Sequence, residues 1–98
     1  DWPPINIDKS YQSFYGIKRN ALFYYAIGLF DKSAELYEQL IISDNKSEYT
    51  YRLAMCYYHL KNYKAALPYL LQLIKNPIYN SDDKIQTAIN YCKSNIQQ

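Results

Sequence analysis

The residues of this chain best suited to catalysis or metal binding are two cysteines and a single histidine. Cys56 and Cys92 lie far apart in the sequence, without the spacing of a metal site or a redox pair. His59 has no serine, cysteine or carboxylate around it in the pattern of a catalytic triad. We therefore expect no enzyme activity, no metal and no cofactor. Packed free thiols favour a reducing compartment, so we expect an intracellular, cytoplasmic protein.

Composition and charge indicate one small domain. The 98 residues are 49% apolar and 20% charged, and the formal net charge is +2. Nucleic-acid binding needs a concentrated basic face, which so weak a charge does not suggest. The sequence has no uncharged apolar run of about 18 residues, so no membrane span is expected. These properties favour a protein or peptide as the partner.

The chain nearly repeats itself after 33 residues. Residues 21–25 read ALFYY and residues 54–58 read AMCYY, and the same register places Leu40 over Leu73. Small residues fall on small residues and aromatic residues on aromatic ones. A repeat of this length indicates stacked units that cannot bury their apolar faces alone. Such an array is typical of a binding protein.

Apolar residues recur at helical intervals within each unit, with one short break. The break falls at Gly28-Leu29 in the first unit and at Lys61-Asn62 in the second. Each unit is therefore predicted to be a pair of antiparallel helices. Small residues should mark the closest approach of the paired helices, because larger side chains would force them apart. These predicted close-approach pairs are Ala21 with Ser33 and Ala54 with Ala66.

This pattern resembles the tetratricopeptide repeat, a helix-turn-helix unit of about 34 residues. The resemblance rests on residues that recur in both units: a small residue in the first helix, an aromatic residue three positions later and an aromatic residue opening the second helix (Ala21, Tyr24, Phe30; Ala54, Tyr57, Tyr63). It implies an all-α fold, a short right-handed solenoid of two repeats with a C-terminal capping helix. The boundaries are an extended segment 1–9, repeats at 10–43 and 46–77, and a helix at 81–97.

The helix at 81–97 is interpreted as a cap or as the start of a third repeat. Its Ala88 and Tyr91 follow the corresponding residues of the second repeat by 34 positions. Asn80 or Ser81 is the expected N-cap. Within the second repeat, Pro68 is expected to bend its helix without breaking it.

The resemblance implies that the first helix of each repeat lines a concave side, and this side is the candidate binding groove. We predict that a peptide or helix of a partner protein binds there, because aromatic residues and methionine suit apolar anchors. The candidate binding residues are Lys18, Leu22, Tyr25, Tyr51, Arg52, Met55, Tyr58 and His59. Glu48, Ile85 and Ile89 belong to the same predicted face. The alternative for these tyrosines is packing against neighbouring helices.

Other interpretations remain open. A helical-repeat protein could bind single-stranded nucleic acid through stacked tyrosines with Lys18, Arg19 and Arg52. Two hairpins and a terminal helix also resemble the cytosolic domain of the mitochondrial fission adaptor family, which is usually tethered by a membrane tail. Two repeats are fewer than the three usually needed for stability, so a homo-oligomer or a longer array is a further alternative. The segment Trp2 to Ile7 could pack on its own groove, on the outside of the first hairpin or on a second molecule.

Overall fold

The computed structural model describes residues 9–96, and over that range it contains five α-helices and no β-strand. They are α1 Lys9–Ala26, α2 Phe30–Ser43, α3 Ser47–His59, α4 Tyr63–Leu73 and α5 Asp83–Ile96. Each helix packs against the next one in the sequence, an order compatible with the predicted solenoid. The all-α prediction is confirmed. The predicted extended segment lies outside the described residues, except for Lys9, which begins α1.

Small residues lie where the paired helices meet. Ala21 of α1 and Ser33 of α2 are both fully buried, and the Ser33 hydroxyl donates a 2.8 Å hydrogen bond to the Ala21 carbonyl oxygen. Ala54 of α3 and Ala66 of α4 are fully buried in the second hairpin. The hydrogen bond lets Ser33 replace an alanine here, because a buried hydroxyl needs a partner.

The turns inside the two hairpins have the same backbone structure. Gly28 has a φ of 85° and Lys61 a φ of 62°, both in the left-handed region. In the first turn Gly28 and Leu29 donate their N–H groups to the carbonyls of Tyr25 and Tyr24. Lys61 and Asn62 donate to the carbonyls of Tyr58 and Tyr57 in the second. This pair of bonds closes each first helix with a Schellman motif.

Because a lysine occupies a conformation that favours glycine, Lys61→Gly is expected to stabilise the protein. The left-handed conformation costs a non-glycine residue roughly 1–2 kcal/mol, part of which is offset by the greater freedom of glycine in the unfolded chain. We expect a rise of about 0.5–1 kcal/mol in the free energy of unfolding, measured by urea titration. Gly28→Lys should lower it. A destabilised Lys61→Gly variant would contradict the assigned turn.

The sequence signals around α4 match the structure closely. The Asn62 side chain accepts a 3.3 Å hydrogen bond from the N–H of Ala65, which makes Asn62 the N-cap of the helix. Pro68 lies inside α4, which continues through it to Leu73. The prediction that Pro68 does not break the helix is therefore confirmed.

The buried side chains form two clusters, and α3 contributes to both. The first cluster joins α1, α2 and α3 and contains Ala21, Ala34, Tyr37, Leu40, Tyr49, Leu53 and Cys56. The second joins α3, α4 and α5 and contains Ala54, Ala66, Leu70, Leu73, Ile85, Ala88, Ile89 and Cys92. Opposite sides of α3 are thus covered by the helices on either side of it, which accounts for its apolar residues on both sides.

The buried face of α5 corresponds to that of α3 at an offset of 36 residues rather than 34. Tyr49, Leu53 and Cys56 of α3 are buried beside α2, and Ile85, Ile89 and Cys92 are buried beside α4. The chain between α4 and α5 runs from Ile74 to Asp82, much longer than the connection between α2 and α3. This longer connection changes the offset. Ile85 and Ile89 consequently belong to the core and not to the candidate groove.

The start of α5 also differs from the prediction. The helix begins at Asp83, and the carboxylate of Asp82 accepts a 2.8 Å hydrogen bond from the N–H of Lys84. Asp82 therefore takes the capping role predicted for Asn80 or Ser81.

Among the described helices, none has the length and apolarity needed to cross a bilayer.

Candidate functional site

The predicted binding residues occupy corresponding positions of α1 and α3. At the 33-residue offset, Lys18, Leu22 and Tyr25 correspond to Tyr51, Met55 and Tyr58. We call the surface formed by these six residues the first-helix face. Leu22 is 47% exposed, and the other five residues are half-buried. The face is therefore accessible yet largely apolar.

Arg52 connects the two repeats at the edge of this face. Its guanidinium carbon lies 5.2 Å from the centre of the Tyr25 ring, a cation–π distance. A tyrosine is neutral at physiological pH, and burial raises the pKa of Tyr25 further above its usual value of 10.0. The Nε atom of Arg52 lies 3.7 Å from a carboxylate oxygen of Glu48, one helical turn earlier. The Tyr25 ring and the Glu48 carboxylate thus flank Arg52, and 28% of its side chain is exposed.

His59 takes part in an aromatic contact between repeats. Its ring stacks on that of Phe30, with ring centres 4.6 Å apart and planes 16° apart. Phe30 also meets the ring of Tyr25 edge-on at 5.6 Å. Tyr25, Arg52 and His59 thus lie in one chain of contacts across α1, α2 and α3. His59 acts here as a packed ring, a role that no spacing in the sequence indicates.

Tyr58 belongs to a second aromatic group, formed with Tyr63 of α4 and Tyr91 of α5. Its ring lies 6.1 Å from Tyr63 and 5.9 Å from Tyr91, and the latter two rings are 5.4 Å apart. All three pairs meet at interplanar angles of 70–72°, the edge-to-face arrangement that aromatic rings favour. Tyr58 is consequently part of the wall of the face and also part of the packing between α3 and α5.

Tyr51 is paired as well. Its ring stacks on Tyr79 at 5.8 Å with planes 13° apart. Tyr79 lies in the connection between α4 and α5. The sequence analysis missed Tyr79 because a residue outside the helices has no periodic signal.

The 36-residue offset places Tyr91 on the same surface as the predicted residues. Leu22, Met55 and Tyr91 are corresponding positions of α1, α3 and α5. We call these three residues the apolar row. Tyr91 is 49% exposed, close to the 47% of Leu22, and Met55 is half-buried. The sequence analysis matched Tyr91 with Tyr57 instead of Met55, because it used an offset of 34.

The cysteines are placed for packing. Cys56 and Cys92 are fully buried, one in each cluster. Burial raises the pKa of both thiols, and protonated thiols are poor nucleophiles and poor metal ligands. Over residues 9–96, no group of three or more His, Cys, Asp or Glu side chains is arranged to hold a metal ion.

The comparison with known protein families found a match over the second hairpin. Residues 49–77 match the family model of the tetratricopeptide repeat. The match supports a TPR-like repeat in this segment of the chain. The match begins in α3, includes all of α4 and ends at Pro77. No curated protein and no solved structure matches the chain. A tetratricopeptide repeat indicates a protein-interaction scaffold, and this family is generally non-catalytic.

The first hairpin shares the main structural features of the tetratricopeptide repeat, although it lies outside the matched residues. It has the same Schellman turn, and Ala21 and Ser33 correspond to Ala54 and Ala66. All four of these side chains are fully buried. The repeat pattern predicted from the sequence is thus present in the backbone and packing of both hairpins.

Proposed function

We propose that this chain is a non-catalytic protein-interaction module that binds a peptide or helix of a partner protein along the first-helix face. The observation that carries the proposal is the apolar row. Its end members Leu22 and Tyr91 are each about half exposed, at 47% and 49%, on corresponding positions of helices that are separated by α3. Apolar side chains that are exposed in a line suit an apolar ligand that crosses the three helices.

The tyrosines beside the row form prearranged walls. Tyr51 stacks on Tyr79, and Tyr58 packs against Tyr63 and Tyr91, so binding need not order these rings again. Interfaces gain affinity when their side chains are already ordered, because ordering a side chain costs about 0.5–1.5 kcal/mol. Tyr25, held by Arg52 and Phe30, supplies the corresponding wall in the first repeat.

The charges at the edge favour a partner segment with a carboxylate next to its apolar residues. The Nε atom of Arg52 is buried, 3.7 Å from a carboxylate oxygen of Glu48 and without a hydrogen-bond partner, so a bound carboxylate would be held by the terminal N–H groups of the guanidinium. Lys18 of α1 adds a second cation to the first-helix face. His59, at the edge of the same face, offers its exposed edge to the partner while its ring remains on Phe30.

Two adjacent residues of α1 provide a matched test. Leu22 lies on the first-helix face, and Phe23, which is 57% exposed, points away from it. The partner would be identified by affinity capture with mass spectrometry and then titrated by calorimetry. We expect Leu22→Asp to weaken its affinity by about tenfold or more and Phe23→Asp to leave it within about twofold, because anchor residues dominate interfaces. Circular dichroism would check that both variants remain folded.

The opposite result would contradict the proposal. If Phe23→Asp abolishes binding and Leu22→Asp does not, the partner occupies another side of α1.

A gel-shift titration with single-stranded RNA at two salt concentrations tests the other class of ligand. A shift at micromolar protein that weakens with salt would indicate a nucleic-acid binder instead.

A further inference from the structure

A small polar pocket lies at the end of the second hairpin opposite its Schellman turn. Its volume is about 130 Å³, which is room for several water-sized groups. Thr50 of α3 and Leu73 of α4, which are 3% and 2% exposed, are its most buried residues. We call it the Thr50 pocket, and the residues that line it are Asn45, Ser47, Thr50, Gln72, Leu73 and Asn76.

The first hairpin has apolar side chains at the corresponding positions of α1. At the 33-residue offset, Phe14 and Ile17 correspond to Ser47 and Thr50. Phe14 and Ile17 pack against the first buried cluster. In the described part of the chain the hydroxyl of Thr50 has no hydrogen-bond partner, although the residue is almost fully buried. A buried hydroxyl without a partner is destabilising, and a ligand that binds it would offset that loss.

We propose that the Thr50 pocket binds a carboxylate group, which comes from an Asp or Glu side chain of a partner protein or from a free chain end. The N-terminus of α3 borders the pocket, because Ser47 is the first residue of that helix. Lys46 occupies the N-cap position and makes no side-chain capping hydrogen bond. The N–H groups of Ser47 and Glu48 therefore lack a partner within the helix and favour a negatively charged group.

The pocket offers mainly hydrogen-bond donors. The Oδ1 atom of Asn76 accepts a 3.0 Å hydrogen bond from the N–H of Ile78, which leaves its NH₂ group free to donate. The carbonyl oxygen of Leu73, at the end of α4, accepts a 2.9 Å hydrogen bond from the N–H of Asn76. The hydroxyls of Ser47 and Thr50 add two further donors. A ligand group that accepts several hydrogen bonds fits this set, as a carboxylate does.

The acidic residues near the pocket are each paired with a basic one. Asp44 lies 3.5 Å from the Nζ atom of Lys46, and Glu48 lies 3.7 Å from the Nε atom of Arg52. Among the described residues that line the pocket, none is acidic. Repulsion of a bound carboxylate is consequently reduced. The pocket shares no residue with the first-helix face, so this inference does not depend on the proposed function.

A nuclear magnetic resonance titration of the full chain tests the proposal. Propionate mimics a Glu side chain, N-acetylglycine mimics a chain end, and propionamide is the neutral control, all at constant ionic strength. With the carboxylates we expect saturable shifts of the amide signals of Ser47, Glu48 and Thr50. Propionamide should bind roughly tenfold more weakly, because charge-assisted hydrogen bonds are about twice as strong as neutral ones. The carboxylate that binds more tightly identifies the source of the group.

Three variants complete the test, and urea titration checks that each remains folded. Thr50→Val keeps the shape of the side chain and should weaken binding by about tenfold, since a hydrogen bond to a charged group is lost. Thr87→Val, at an exposed position of α5, should leave binding unchanged. Ser47→Phe combined with Thr50→Ile introduces the residues of the first hairpin and should abolish the shifts. Equal shifts with propionamide and propionate, shifts that do not saturate with either carboxylate, or unchanged binding in Thr50→Val would overturn the proposal.

Discussion

A chain without residues 81–98 is expected to aggregate or self-associate. Those residues include α5, whose Ile85, Ile89 and Cys92 are buried in the second cluster with Leu70 and Leu73. Their removal would expose an apolar surface of α3 and α4, and repeat arrays depend on a terminal unit with a polar outer face. Sedimentation velocity should detect larger species than with the complete chain. This result would support the capping role proposed for α5.

Point substitutions in α5 provide a control for the deletion. Ile85 is fully buried and the adjacent Gln86 is exposed, so Ile85→Asp should reproduce the self-association and Gln86→Asp should not. A shortened chain that sediments as the complete chain does and is equally stable in urea would show that α5 is not a cap.

The second large effect is expected for Tyr57→Ala, which should lower the free energy of unfolding by about 3 kcal/mol or more. Tyr57 packs against both buried clusters. Its ring stacks on Tyr69 of α4 with centres 6.2 Å apart, and its hydroxyl donates a hydrogen bond to the carboxylate of Glu38 in α2. Loss of this side chain should therefore weaken both hairpins and their contact. Urea unfolding followed by circular dichroism measures the effect.

Two variants separate the contributions of this residue. Tyr57→Phe removes the hydrogen bond alone and should cost about 1 kcal/mol or less, because the bond is exposed to solvent. Tyr58→Ala, next in the sequence, loses edge-to-face contacts worth about 0.5–1.5 kcal/mol each and should cost less than Tyr57→Ala. Equal losses at Tyr57 and Tyr58 would mean that both are core residues and that the binding face lies elsewhere.

The two hairpins could be predicted because the same pattern of small and aromatic residues occurs in both units of the sequence. A small residue is tolerated at a close approach and a larger one is not, so Ala21 with Ser33 and Ala54 with Ala66 mark the same geometry. The break at Lys61-Asn62 was identifiable from its polar residues, and the Asn62 side chain accepts a backbone N–H there at the start of α4. Such local signals do not depend on distant parts of the chain.

The placement of α5 could not be predicted, because it depends on the path of the chain between α4 and α5. A two-residue change of offset rotates a helix by more than half a turn, which moved Ile85 and Ile89 into the core and Tyr91 onto the surface. The break at Lys61-Asn62 was predicted, but the left-handed conformation of Lys61 was not. The two hydrogen bonds that close α3 hold a lysine in a conformation for which glycine is the usual signal.

Site-specific photo-crosslinking tests the central claim, that the partner lies along the apolar row, most directly. A photoreactive phenylalanine would be placed in turn at Leu22 and Tyr91, which belong to the row, and at Phe23 and Ile78, which do not. All four side chains are at least 47% exposed, so the substitutions should leave the fold intact. We predict crosslinks to the captured partner from Leu22 and Tyr91 and none from the other two positions. Crosslinks from Phe23 or Ile78, with none from the row, would contradict the proposed binding face.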